Sequence, residues 1–334
     1  MSATDMIGAL SRQPTVVVAL GGNALLPAGE RGDIHQQFAH TRESLAPIVE
    51  MARAGWRIAV VHGNGPQIGD ELYRNEMARA QLPPLPLGVL VAATAGWIGY
   101  MIQQSLQNAL EKNRIDRDVV TLITQVIVDP DDAATHEPIK PIGRVLNKRA
   151  AETLAKDLGW TIRPDGSGYR RLVPSPVPCG IVEKEQIKRL TERGTIVIAA
   201  GGGGTPVYRH PTLRTEGIDA VIDKDRAAAV LAEAIGADVL LILSNVDGVF
   251  QNFGKADQQL QTRLSVAQAK QLLEHGELGK GSMAPKVEAA VSFLEKGGTR
   301  AHIARLDHGL QALNEHAGTT ITNELSRGEK KVLN

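Results

Sequence analysis

The stretch Thr195-Ile196-Val197-Ile198-Ala199-Ala200-Gly201-Gly202-Gly203-Gly204-Thr205-Pro206 decides how the chain is read. Its first half is a short β-branched run, the pattern of a buried strand. Four consecutive glycines then remove every Cβ where the strand ends. The backbone can turn sharply there, and its N–H groups can approach an anion closely. A flexible linker is the bland alternative, but linkers are usually Ser-rich and polar, and this stretch abuts a core strand.

Two further strand–glycine junctions make the signal specific. Thr15-Val16-Val17-Val18-Ala19-Leu20 runs into Gly21-Gly22-Asn23, and Arg57-Ile58-Ala59-Val60-Val61-His62 runs into Gly63-Asn64-Gly65-Pro66-Gln67. Pro66 suits the first turn of a helix, so this junction aims free N–H groups and a positive dipole end beyond the strand. His62 could be a base or a ligand, but a lone histidine at a strand end is more often structural. Residues 119–128 read as one strand, Val239-Leu240-Leu241-Ile242-Leu243 as a central one, and 301–305 and 319–322 as the last two. Helical spacing places Leu45, Ile48, Val49 and Ala52 on one face, as it does Ala227, Val230, Leu231 and Ala234, and again Val287, Ala290, Val291 and Leu294. Residues 33–42 are polar and receive no element.

Strands alternating with helices predict an α/β fold. It is a three-layer αβα sandwich with a mostly parallel central sheet, plus a small protruding subdomain. That subdomain is the turn-rich, polar segment 129–178, with a helix near 147–158; a structureless loop of that length would be improbable. In such sheets ligands sit outside the carboxyl ends of the strands, where all three glycine junctions fall.

The chain has 334 residues, of which 43% are hydrophobic, 22% charged and 3% aromatic, which fits a globular protein with an aliphatic core. Lys+Arg and Asp+Glu both number 37. That balance argues against a nucleic-acid-coating surface. Cys179 is the only cysteine, so neither an internal disulfide nor a cysteine zinc cluster can form. Residues 1–12 do not read as a signal peptide, which makes the cytoplasm the expectation. Residues 82–110 lack charge, but Pro86 and Gly88 interrupt them early and Gln103, Gln104 and Asn108 late. A spanning helix needs about 20 mainly apolar residues. The segment therefore reads as a buried or subunit-contact helix, offering Trp97, Ile98 and Met101 to a partner copy.

The glycine sites match neither a Walker A loop nor the dinucleotide fingerprint. Three lysines accompany them. Lys286 lies in the first turn of its helix, where the dipole opposes a cation; an anion in front of it would resolve the conflict. Lys224 stands between Asp223 and Asp225 at another helix start, and Lys140 is held between Pro138 and Pro141 in the insertion. Each alone reads as a surface charge or a local ion pair. Together with three glycine cradles they suggest phosphoryl transfer, which is mainly positioning and charge neutralisation.

At these residues the chain resembles the carbamate kinases of the amino-acid kinase superfamily. The matching segments are Ala19-Leu20-Gly21-Gly22-Asn23-Ala24-Leu25, His62-Gly63-Asn64-Gly65-Pro66-Gln67, Thr124-Gln125-Val126, Lys140-Pro141-Ile142-Gly143, Arg171-Leu172-Val173-Pro174-Ser175-Pro176, Gly201 to Gly204, Val221-Ile222-Asp223-Lys224-Asp225 and Gly281-Ser282-Met283-Ala284-Pro285-Lys286. They run in family order. The resemblance implies an amino-acid kinase-like domain over 14–325, with 129–178 as a lid inserted within it and 326–334 as a frayed tail. It implies the reaction ATP + carbamate ⇌ ADP + carbamoyl phosphate with Mg²⁺, used to make ATP in arginine metabolism, and a homodimer.

By the same resemblance, Lys140, Lys224, Asp225 and Lys286 are catalytic. Gly21, Gly22, Asn23, Gly63, Asn64, Gly65, Gly202 and Gly203 hold substrate and phosphate, and Ser244, Asn245, Asp247, Met283 and Lys286 the nucleotide. The metal ligands are left open. Two stretches depart from the family pattern. Arg144-Val145-Leu146 stands where an aromatic-containing stretch is usual, and Ser244-Asn245-Val246-Asp247 stands where many members have Thr-Asp-Val-Asp. A kinase for another small carboxylate and a non-catalytic regulator that binds nucleotide or carbamoyl phosphate are the alternatives. The Lys140 insertion argues against the first, and the intact lysines and Asp225 against the second.

Overall fold

The computed structural model describes residues 13–21, 25, 32–278 and 283–323. The central sheet has eight strands in the order Arg263–Ser265, Thr319–Thr322, Arg300–Arg305, Val239–Ser244, Thr15–Leu20, Arg57–His62, Ile196–Ile198 and Val119–Thr121. The last six are mutually parallel, and the two at the other end run in the opposite direction.

Strand periodicity explains the layers. Successive side chains point to opposite faces, and both faces here are apolar because both are covered. Val17, Ala19, Ala59, Val61, Leu240 and Ile242 pack with Ala227, Leu231, Val287, Ala290 and Phe293 on one side. Val16, Val18, Leu20, Ile58, Val60, Leu241 and Leu243 pack with Ile48, Met51, Ile98, Met101 and Leu106 on the other. The first group of partners comes from helices Lys224–Ile235 and Ala284–Glu295, the second from Ala46–Arg53 and Leu87–Lys112. Each Val, Leu, Ile, Met or Phe side chain taken fully from water contributes about 1.5–3 kcal/mol before the entropy of ordering it is subtracted, and each Ala methyl less.

Three readings of the sequence need correction. Residues 33–42 are helical: Ile34–Ser44 is a helix with a capping box, in which the Asp33 side chain accepts from the Gln36 N–H and the Gln36 side chain accepts from the Asp33 N–H. Residues 119–128 form two strands, Val119–Thr121 in the main sheet and Gln125–Val128 in a second sheet ordered Arg214–Gly217, Thr205–His210, Gln125–Val128, Pro178–Ile181. Finally, Ile98 and Met101 are fully buried in the chain's own core and Trp97 packs against it. The exposed large apolar residues of that helix are Val89 and Tyr100. Among the described residues, no helix is long and apolar enough to cross a membrane.

Within 129–178 lies a separate three-stranded sheet, ordered Lys140–Leu146, Gly168–Val173, Thr161–Asp165. Helix Lys148–Leu158 accompanies it, capped by Asn147, whose side chain accepts from the Ala150 N–H, and ended by left-handed Gly159. Its strand residues Ile142 and Val173 are buried with Ile68, Leu72, Leu90, Val91 and Val221 in a small core of their own. The 326–334 tail lies outside the described residues.

Candidate active site

Register brings the glycine junctions side by side. Leu20 pairs with both His62 and Leu243. One step beyond, the Gly21 N–H donates to the Leu243 carbonyl and the Gly63 N–H to the Leu20 carbonyl, each at 3.2 Å. The Ala199 N–H donates to the Val60 carbonyl at 2.9 Å. Ser244, Gly21, Gly63 and the Gly201–Gly204 turn therefore lie on neighbouring strands along one carboxyl edge. Gly22 and Asn23 lie outside the described residues.

Each glycine of the quartet is dictated by close packing. A Cβ on Gly201 would lie 2.4 Å from His62 Nε2, one on Gly202 2.4 Å from Asn64 Nδ2, one on Gly203 2.3 Å from the Ile222 carbonyl oxygen, and one on Gly204 2.1 Å from Val126 Cγ2. Gly202, Gly203 and Gly204 also have positive φ, which favours glycine. The turn is closed by Gly203 N–H to Ala200 C=O at 2.9 Å and Gly204 N–H to Gly201 C=O at 3.0 Å. The sequence suggests an open anion cradle here; the geometry adds a buried packing duty. Thr124 carries no assigned role in the sequence pattern, yet its Oγ1 accepts from the Ala200 N–H at 2.9 Å and donates to the Leu122 carbonyl. It anchors the turn at the point where the 119–128 run breaks into two strands.

Asn64 is buried, and its Nδ2 donates to Thr94 Oγ1 at 2.9 Å. It makes no side-chain cap on helix Gly65–Ala78. The first N–H groups of that helix are thus left for another acceptor, and a Cβ on Gly65 would meet nothing within 4 Å. His62 beneath the turn is fully buried, with Nδ1 3.0 Å from the Gly63 carbonyl oxygen. Burial lowers its pKa to about 4, so it is neutral at pH 7.

The lysines converge from three distant segments. Lys286 Nζ donates to Asp225 Oδ2 at 2.9 Å, and Lys224 Nζ donates to Asp225 Oδ1. Lys140 Nζ reaches across from the small sheet to Asp223 Oδ2 at 3.0 Å and the Ile222 carbonyl oxygen at 3.3 Å. Asp223, in the sequence only a neighbour of Lys224, is the N-cap of helix Lys224–Ile235; its Oδ1 accepts from the Asp225 and Arg226 N–H groups. An aspartate just before a helical run is the signal that could have assigned that role.

Burial alone would raise both carboxyls. The ammonium groups of Lys140 and Lys224 at Asp223, and of Lys224 and Lys286 at Asp225, outweigh it and hold both well below the usual carboxylate range. Burial pushes the Lys224 ammonium down from its ordinary value while Asp225 pulls it up. Three ammonium groups face two carboxylates at the start of helix Lys224–Ile235, whose first N–H groups Asp223 already caps. This arrangement suits a polyanion.

The expected nucleotide residues lie along the same edge. Ser244 ends its strand and pairs with Arg305 of the neighbouring one. Its Oγ donates to Asn245 Oδ1 at 3.3 Å, and Asp247 lies 3.5 Å from an Arg305 nitrogen. The Met283 carbonyl accepts from the Lys286 and Val287 N–H groups, so Met283 sets the start of the helix that carries Lys286. Among the described residues, no hydrogen bond or ion pair joins Ser244, Asn245 or Asp247 to the lysine cluster.

Residues 14–305 match the model of the amino acid kinase family. This chain belongs to that family, the class that its sheet and its lysine-rich edge define. Within the family it belongs with the carbamate kinases. It is 43% identical over 309 residues to a carbamate kinase of Pyrococcus furiosus, covering 92% of this chain and 98% of that protein. Two solved structures of carbamate kinase from Giardia lamblia, one bound to citric acid and one to AMP-PNP, superpose with TM-scores of 0.88 and 0.84 at 38% identity. Both cover 93% of this chain and 98% of theirs.

Proposed function

We propose that this chain transfers the γ-phosphoryl group reversibly between ATP and carbamate, giving ADP and carbamoyl phosphate, and that its working direction makes ATP. The observation that carries the reading is Asp225 held between Lys224 and Lys286, with Lys140 on the adjoining Asp223. In the forward direction a carbamate oxygen forms a bond to the γ-phosphorus as the bond to the β–γ bridging oxygen breaks, and ADP leaves. Carbamate is already an oxyanion, so no proton must be removed. The barrier comes from bringing two anions together, which fixed ammonium groups and backbone N–H groups lower.

The site is preorganised for this. Asp225 aims Lys224 and Lys286 so that little reorganisation is needed when phosphate arrives. Gly21, Gly63, Asn64 and Gly65 would hold carbamate and the transferring group at the helix start, with Gly202 and Gly203 shaping the wall beside them. Ser244, Asn245, Asp247 and Met283 would line the nucleotide. The three-stranded sheet with Lys140 would act as a lid that excludes water from an easily hydrolysed acyl phosphate. Mg²⁺ fits this site as a companion of the nucleotide phosphates. Both carboxylates are already paired with lysines, and among the described residues no group of three or more His, Cys, Asp or Glu gathers to hold a metal. The ion would take phosphate and water oxygens and supply further charge neutralisation. We place the protein in the cytoplasm as a homodimer, with Tyr100, Val89 and Ile123 as its exposed apolar contacts.

The test is ATP formation from ADP and Mg²⁺ with carbamoyl phosphate or acetyl phosphate as donor. Rapid ATP formation with carbamoyl phosphate, and slow formation with acetyl phosphate, is the expected result. Equal use of both, or use of neither by protein that binds ADP, would overturn the substrate assignment.

A further inference from the structure

The lid strand Lys140–Leu146 meets helix Gly65–Ala78 in two ways that the phosphoryl-transfer chemistry does not require. Gly69 and Gly143 bring their backbones into direct contact: a Cβ on Gly69 would lie 1.9 Å from Gly143 Cα, and Gly143 has φ +72°. One residue further along each element, the Arg144 guanidinium grips the Asp70 carboxylate with both arms, Nε to Oδ1 at 2.7 Å and Nη2 to Oδ2 at 2.8 Å. Such a bidentate pair fixes orientation as well as distance. The pair raises the Arg144 pKa above its ordinary value, through the hydrogen bond and the charge of Asp70.

Both elements lead to the site. Helix Gly65–Ala78 begins at the Asn64–Gly65 junction, and the strand begins at Lys140, whose Nζ rests on Asp223. Ile142, between Lys140 and Arg144, is buried against Ile68 and Leu72 of the helix. From helix to strand there is thus a zipper: Ile68 and Leu72 on Ile142, Gly69 on Gly143, Asp70 on Arg144. We propose that Arg144 and Asp70 are positioning residues, a latch that holds the lid strand on the helix in the register that brings Lys140 to the phosphoryl site. The inference rests on the kinase reading only for its kinetic consequence; the docking is independent of it.

A latch of this kind sets how much of the protein holds the lid docked before substrate arrives. Weakening it lowers apparent affinity by the docked fraction and spares the chemistry once substrate saturates the site. Two readouts test it, on Asp70→Asn, Arg144→Gln and the swapped pair Asp70→Arg/Arg144→Asp. First, amide hydrogen exchange over residues 142–146 should quicken at least fivefold in the single variants and return within twofold in the swapped pair. Unchanged exchange in folded single variants overturns the latch, whether or not the protein proves to be a kinase. Second, KM for carbamoyl phosphate should rise about fivefold to tenfold, with kcat and KM for ADP within twofold, and the swap should restore it. Faster exchange with an unmoved KM, or a fall in kcat alone, would show a strand tether that does not position Lys140 and would overturn the proposal.

Discussion

Lys286 and Lys140 each place an ammonium on an aspartate about 3 Å away, in very different settings. Lys286 is buried on a helix packed against the main sheet by Val287, Ala290, Val291 and Phe293. Lys140 is only partly covered and rides on a three-stranded sheet whose neighbouring positions Arg144 and Val145 face solvent. The first is fixed by the large core, and so is its share of the field. The second is delivered by a small body held through a handful of apolar residues, a glycine contact and one exposed ion pair. A phosphotransferase needs both: a rigid half to place charge without reorganisation, and a half that can release product.

The sharpest way to break this comparison is to remove one lysine from each half. Lys224→Ala, in the fixed half, should lower turnover about 10³-fold, near the upper end for loss of one preorganised charge donor, with the fold intact because Asp225 keeps Lys286. A glycine of the same half comes next. Gly204→Ala should cost about 3 kcal/mol in urea denaturation, because its Cβ would collide with Val126 at a positive φ. Lys140→Ala, on the three-stranded sheet, should lower turnover about 10²-fold, a smaller loss than at Lys224. Equal losses at the two lysines would erase the distinction between the halves.

Stability against pH separates the halves as well. Burial lowers His62 and His302, both in the main body, to about 4 from 6.5. The unfolded chain therefore binds the extra protons between those values, and stability falls as pH drops through that window. The loss between pH 7 and pH 5 should be about 2 kcal/mol for each histidine, read from urea midpoints at the two pH values. The smallest effect belongs to the small subdomain: Gly159→Ala, at a left-handed helix end with open space around it, should cost only about 1 kcal/mol.

The junctions were legible because they are local. A β-branched run leading into glycines reports a strand end, and the spacing of Ala227, Val230 and Leu231 reports a buried helix face. That Lys140, Lys224 and Lys286 act together was legible from their setting beside the glycine junctions, but their pairing onto Asp223 and Asp225 was not, since ion pairs spanning 83 and 61 residues depend on topology. Misreadings arose where local chemistry was ambiguous. Residues 119–128 contain no Pro or Gly, and the break comes from Thr124 turning its hydroxyl onto the backbone. The Asp33–Gln36 capping box was present but was outweighed by the polarity of His35, Gln36, Gln37, His40, Thr41 and Arg42. Ile98 and Met101 looked like contact residues because a helix that is apolar on most sides does not announce which side its own core covers.

If the Asp225-held lysines, fixed before substrate arrives, carry the phosphoryl transfer, removing one must slow the chemical step itself. Single-turnover ATP formation from carbamoyl phosphate and Mg·ADP, in wild-type protein and in Lys224→Ala, measures that step. Rapid ATP formation is expected from the wild type and a loss of about 10³-fold in the variant, with ADP still bound and the melting temperature little changed. Transfer at the wild-type rate in folded Lys224→Ala would contradict it.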